Sequence, residues 1–70
     1  MKKVDSPVAG VLMDYLVSVG DAVTEGQEVA VIESIKMEIP VAAEAAGTVA
    51  KLCCAKGDTV GDGATLIELS

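Results

Sequence analysis

Lys36 stands in Glu33-Ser34-Ile35-Lys36-Met37-Glu38, a primary amine with an apolar residue on either side and carboxylates three positions before and two positions after it. A neutral lysine amine is a nucleophile toward activated carboxyl groups, and the amide it forms no longer carries the lysine's charge. An acceptor of that kind must be open on all sides, both to the enzyme that modifies it and to those that use what it carries. Ile35 and Met37 add nothing obvious to folding in an exposed turn. They either tuck into the core, the usual fate of such side chains, or form a small exposed apolar contact, Met37 adapting through its flexible thioether.

The other reactive residue types fit no known chemistry. Glu33 and Glu38 could form an acid–base pair only inside a pocket that shifts their pKa values, and Glu38 reads as a solvated strand-end charge. Adjacent Cys53 and Cys54 match neither a zinc spacing nor a Cys-x-x-Cys redox pair. Cys54 is expected buried as a small hydrophobe and Cys53 outward, both reduced as in the cytoplasm. The chain has no His, and 70 residues leave no length for a deep catalytic cleft, so an enzyme is the remotest reading.

Charge narrows the partners further. Eleven acidic residues against five lysines give a net charge of −6, which opposes phosphate backbones, and Trp and Phe, the usual stacking platforms, are missing. Nucleic acid is therefore excluded as a partner. No run reaches the roughly 20 apolar residues that span a bilayer, so no membrane is expected. Met1-Lys2-Lys3 is followed by Asp5 and Ser6 instead of an apolar stretch, which predicts a cytoplasmic protein without a signal peptide. Ser70, directly after the last predicted strand, suits a natural C-terminus.

An internal repeat predicts how Lys36 is positioned. At an offset of 37 residues, Gly20-Asp21-Ala22-Val23-Thr24-Glu25-Gly26 aligns with Gly57-Asp58-Thr59-Val60-Gly61-Asp62-Gly63. Ala9-Gly10 falls on Ala46-Gly47, and Leu12, Tyr15, Val17 and Val29 fall on Val49, Leu52, Cys54 and Leu66. Short runs of Val, Ile and Leu between Gly and Asp predict strands near 2–5, 10–17, 28–34, 37–43, 47–54 and 65–69. Matching apolar positions three and then two apart require a β-bulge near Asp14 and near Lys51. Pro40 must turn its missing amide outward or lie on an edge. Met13 and Tyr15 read as packing residues, Tyr15 capping a sheet edge.

Two such halves, each unable to bury its apolar face alone, predict an all-β fold, a flattened barrel or sandwich of two quasi-symmetric four-stranded sheets in one domain over 1–70. The midpoint of the repeat falls at Lys36 or Met37. The lysine is thus expected on a hairpin tip at one end, with both termini meeting at the other.

The segment Glu33-Ser34-Ile35-Lys36-Met37 resembles the attachment site of the biotinyl/lipoyl domain family, and the repeated Gly-Asp-x-Val segments with Gly10 and Gly47 extend the resemblance along the whole chain. In that family the modified lysine sits on a hairpin tip, usually within Glu-Ala-Met-Lys-Met or Glu-Ser-Met-Lys-Met. Glu33, Ser34, Lys36 and Met37 match, and Ile35 stands where Met is usual. The resemblance implies a non-catalytic carboxyl carrier with biotin on Lys36, Glu33 helping to place the hairpin for a biotin–protein ligase. A biotin carboxylase and a carboxyltransferase are its implied further partners, and the isolated domain is expected to be monomeric. Ile35 and Met37 would then be the apolar contact for these enzymes. A lipoyl carrier, with lipoate on the same lysine, is the nearest rival, although lipoyl domains normally have Asp before and Ala after it. An unmodified docking module of the same fold is the third reading.

Overall fold

The computed structural model describes residues 2–70; Met1, the first residue of the Met1-Lys2-Lys3 segment, lies outside the described residues. Eight strands follow one another without a helix: β1 (Lys2–Asp5), β2 (Gly10–Tyr15), β3 (Ala22–Val23), β4 (Glu28–Ser34), β5 (Met37–Ala42), β6 (Gly47–Leu52), β7 (Thr59–Val60) and β8 (Thr65–Leu69). They build two four-stranded sheets, ordered β1-β8-β6-β3 and β5-β4-β2-β7, and every pairing is antiparallel. The six expected strands are present, β2, β5 and β6 ending one or two residues early. The repeat-derived reading left β3 and β7 as turns, since a two-residue strand inside Gly-Asp-x-Val is too short to show alternation.

The repeat is written into the backbone hydrogen bonds. Gly26 N–H donates to Ala43 O and Ala43 N–H to Gln27 O; in the other half, Gly63 N–H donates to Ser6 O and Ser6 N–H to Ala64 O. Asp21 and Asp58 each accept from the backbone three residues earlier, at Ser18 and Ala55, both at 2.9 Å. In each copy the aspartate closes a four-residue turn from its last position, its backbone N–H and its carboxylate both bonding back to the first residue, which explains why aspartate follows glycine in both copies. Gly20 and Gly57 supply the positive φ those turns need, as Gly26 and Gly63 do for the turns Thr24–Gln27 and Gly61–Ala64.

Bulges obey the same symmetry. Met13 and Ala50 are the extra residues in β2 and β6, at the two expected places. Val29 and Leu66 are extra in the pairings β4–β5 and β1–β8, a second symmetric pair that the sequence reading did not anticipate. Each of these lets two successive residues, Val29 with Ala30 and Leu66 with Ile67, bury their side chains together in the core. Leu12, Ile32, Val49 and Leu69 complete the centre between the sheets.

Edge strands are blunted. β5 pairs only with β4, and Pro40 lies on it opposite Val31. Because residues flanking a two-residue hairpin loop form a hydrogen-bonded pair, position 40 falls in a non-hydrogen-bonded pair and its nitrogen faces away from the sheet. The expectation for Pro40 holds, and with exposed Glu38 on the same strand it leaves little for another chain to pair with.

Tyr15 departs from expectation. Its strand β2 lies inside its sheet, between β4 and β7, and its hydroxyl crosses to the other half, 2.8 Å from Cys54 O and 3.0 Å from Leu66 O, while accepting from Cys54 N–H at 3.2 Å. It ties the sheets together instead of capping an edge. Its repeat partner Leu52 has no hydroxyl to do the same. Tyr15→Phe strands polar backbone and is expected to cost about 1–2 kcal/mol, a melting-point drop of roughly 5–15 °C. Burial lifts the phenol above its ordinary value, only partly opposed by the Cys54 hydrogen bond. A folded pKa above the unfolded one means a stabilising contribution that is complete below about pH 10 and lost as pH rises through the folded value. Thermal melts from pH 8 to 11 should show that loss in the parent and a shallower one in Tyr15→Phe.

The cysteines are corrected in part. Cys54 packs against the core but stays half-buried, its Sγ 3.6 Å from Thr65 O; Cys53 is also half-buried, its Sγ 3.6 Å from a Glu68 carboxylate oxygen. Burial and the adjacent Glu68 push the Cys53 thiol up, away from the nucleophilic thiolate. Both thiols are free.

Candidate functional site at the hairpin tip

Strands β4 and β5 stay paired up to Ser34 and Met37, leaving Ile35 and Lys36 alone to reverse the chain. Their φ angles of 48° and 62° are the only positive values on non-glycine residues among the described residues. Two consecutive left-handed residues form the type I′ turn, whose twist matches that of the flanking strands. The usual occupants are Asn and Gly. Here the first position holds a β-branched residue, for which the left-handed region costs on the order of 1–2 kcal/mol.

Lys36 is therefore at the apex of a short, well-paired hairpin. It is exposed and makes no hydrogen bond or ion pair among the described residues, where the one ion pair joins Lys56 to Asp14. Ile35 is 92% exposed and Met37 63% exposed, so of the two fates open to them neither has taken the core. Glu33 and Glu38 are directly opposed across β4 and β5, in the non-hydrogen-bonded type of pair where side chains come closest. Both are exposed, and they bracket the lysine with negative charge.

The opposite end holds the termini. Lys2 pairs with Leu69, Lys2 Nζ donates to Ala46 O, and Ser70 and Thr48 are joined through their backbones. β4 starts beside that end, since Gly26 and Gln27 bond to Ala43 there, and its seven residues carry the chain about 20 Å to the tip. The long dimension of the molecule, 31 Å, accommodates this arrangement.

One supporting residue escaped the sequence reading. A Cβ on Gly10 would overlap the Glu33 carbonyl oxygen and come within 2.8 Å of Ile32 Cγ2. The absent side chain lets β2 press against the end of β4 that carries the tip. Its repeat partner Gly47 plays the same part against Ser70 O, at 2.9 Å. The alignment of Ala9-Gly10 with Ala46-Gly47 was the available signal, though not its reason.

The family model described as "Biotin-requiring enzyme" matches residues 2–69. The chain belongs to that family. It is 50% identical over 64 residues to the human mitochondrial propionyl-CoA carboxylase alpha chain, covering 91% of this chain and 9% of that one. It is 46% identical over 63 residues to the biotin/lipoyl attachment protein of Bacillus subtilis, covering 90% of this chain and 86% of the relative. The urea carboxylase of Kluyveromyces lactis contains a similar fold, with a TM-score of 0.90 at 31% identity over 97% of this chain and 6% of that structure. This chain thus spans less than a tenth of the carboxylase chains it matches. As a member of the family it is a carrier domain and not a catalyst. Among the described residues no pocket opens, no group of three or more potential metal ligands gathers, and no helix is long and apolar enough to cross a membrane.

The donor chemistry at the tip fits the covalent group of this family. A solitary exposed amine, presented clear of the sheets, can be approached by an activated carboxyl group without disturbing any bond of the fold.

Proposed function

We propose that Lys36 accepts biotin as an amide and that residues 1–70 act as one biotinyl domain, a mobile carboxyl carrier of a biotin-dependent carboxylase. The observation that carries this reading is the bare Lys36 amine at the apex of a two-residue turn, in a chain of this family. Biotin supplies the atoms that accept and release the carboxyl group. The chain supplies placement: β4 and β5 hold the amine away from both sheets, Ser34 and Met37 close the hairpin beneath it, and Glu33 orients the tip toward the modifying ligase. Loss of the lysine charge on amide formation removes the need to solvate a cation where the tip enters a partner's active site.

Biotin–protein ligase, a biotin carboxylase and a carboxyltransferase are the partners of this reading, and the domain works as a monomer in the cytoplasm. Tethering the carrier to those enzymes replaces diffusion by an effective concentration of about a millimolar. The names of relatives such as propionyl-CoA carboxylase support a carboxylase setting.

Lipoate on the same amine is favoured less, because lipoyl domains normally place Asp before and Ala after the lysine, where this chain has Ile35 and Met37. Incubation with biotin–protein ligase, biotin and ATP, and in parallel with a lipoate ligase and lipoate, followed by intact-mass measurement, separates the readings. One biotinyl increment per chain is expected. A lipoyl increment alone, or no increment in either arm, overturns the proposal.

A further inference from the structure

The two sheets differ on their outer faces. All eight strands belong to sheets packed through their inner faces, so no strand lies over either outer side. On the sheet β5-β4-β2-β7, Val11 stands opposite Glu33 and Val31 opposite Pro40, with the bulged Met13 between Val11 and Val31's other neighbour, Asp14. Val11, Met13 and Val31 are half-buried and Pro40 is exposed, an apolar patch with Glu33 and Glu38 on its tip side. The 37-residue offset puts these four positions on Thr48, Ala50, Glu68 and Lys3, and the register repeats as well: Lys3 faces Glu68 as Pro40 faces Val31. One half thus builds the same backbone with a polar outer face, so the fold does not require the apolar one. Single apolar residues on a surface need no explanation, but a contiguous group whose symmetry mates are polar has a use outside the fold.

We propose, resting on the reading of Lys36 as a biotin carrier, that this outer face is the docking surface for the biotin carboxylase, which meets it with an apolar patch flanked by lysine or arginine. An enzyme that gathers ATP and bicarbonate, both anions, carries positive charge around its site, and Glu33 and Glu38 beside the patch are the complement of that charge. The opposite face, where Lys3 and Lys51 flank Glu68 across three strands, would be repelled. A second copy of the chain fits less well. Four side chains, three of them half-buried, fall far short of the roughly 800 Å² a side of a stable interface, and two such faces would oppose like charges. A small patch suits a carrier that must leave after each visit, because weak contacts keep dissociation fast. The patch lies on the sheet that holds the β4–β5 hairpin, so an enzyme seated there has Lys36 at its edge.

Val31→Glu with Pro40→Lys writes the Glu68–Lys3 pair onto this face, at positions whose symmetry mates already hold it and with no change in net charge. The double variant is expected to melt within roughly 4 °C of the parent and to be biotinylated by the ligase at the parent's rate, the signs of an intact fold and tip. With biotin carboxylase, ATP and bicarbonate, the biotinylated variant is expected to show a KM roughly tenfold above the parent's at equal kcat. Lys36→Arg, which carries no biotin, should inhibit that reaction of the parent, and the same chain with both face substitutions should inhibit it roughly tenfold less. If the double variant melts lower than expected, Val31→Thr, similar in shape and also β-branched, takes its place, with a KM about threefold higher. An unchanged KM, or equal inhibition by the two unmodified chains, overturns the docking face. A ligase rate that falls as far as the carboxylase KM rises overturns the assignment to the carboxylase. If the parent itself takes up no biotin, the attachment reading has failed, a result distinct from a parent and variant that are carboxylated alike.

Discussion

Lys36→Arg is expected to abolish covalent biotin completely while moving the melting temperature by no more than roughly 4 °C. Arginine keeps the charge and most of the length, but its guanidinium stays protonated and is no nucleophile toward an activated carboxyl group. The fold has nothing to lose by the change, since Lys36 is exposed at the turn apex and has no polar partner among the described residues. The other described lysines sit elsewhere: Lys2 bonded to Ala46 O, Lys3 on β1, Lys51 on β6 and Lys56 beside Asp14 at 3.9 Å. None of these crowns a hairpin. Intact mass with peptide mapping checks this, and an increment that persists in Lys36→Arg on another lysine removes the attachment assignment.

The largest effect on stability is expected from Gly10→Ala. The new methyl group would overlap the Glu33 carbonyl oxygen and lie within 2.8 Å of Ile32 Cγ2, and the first of these neighbours is backbone held in the β2–β4 ladder. A flexible side chain could swing aside; a paired strand has to shift as a whole. The cost is expected to be about 3 kcal/mol, a melting-point drop of roughly 12–24 °C in a domain of this size. That is a large part of what 70 residues can supply. Gly47→Ala meets Ser70 O at 2.9 Å and Leu69 Cβ at 3.2 Å, looser approaches than those at Gly10, so its loss should be smaller. Urea unfolding of both variants measures the ordering. Equal effects, or a Gly10→Ala melting point within 4 °C of the parent, would mean that the strands do not approach as closely as described.

These two residues differ in how far the sequence reveals them. Lys36 is marked twice over, by its neighbours Glu33, Ser34 and Met37 and by its place midway between two aligned halves, and the two marks are independent. Gly10 is marked only by its alignment with Gly47. Its reason, the carbonyl of Glu33, lies on another strand 23 residues away and has no signature beside it.

Local chemistry and the 37-residue repeat by themselves determine the all-β class, the six longer strands, the bulges at Met13 and Ala50, the outward Pro40 and the hairpin lysine opposite the termini. Those are properties of periodicity, turn residues and symmetry, which the chain carries along its length. Tertiary structure alone decides the rest. The two-residue strands β3 and β7 exist only because neighbouring strands offer them partners. Tyr15 becomes a tie between sheets because Cys54 and Leu66 arrive beside its hydroxyl. Cys54 stays half-buried because the second half closes less fully over it than Val17 is closed over in the first, at 8% exposure. Ile35 and Met37 face solvent because the hairpin remains paired through Ser34 and Met37, leaving no core within their reach. The first three depend on contacts between residues far apart in the chain, which no reading of neighbours supplies, and the last on how far the β4–β5 pairing runs toward the tip.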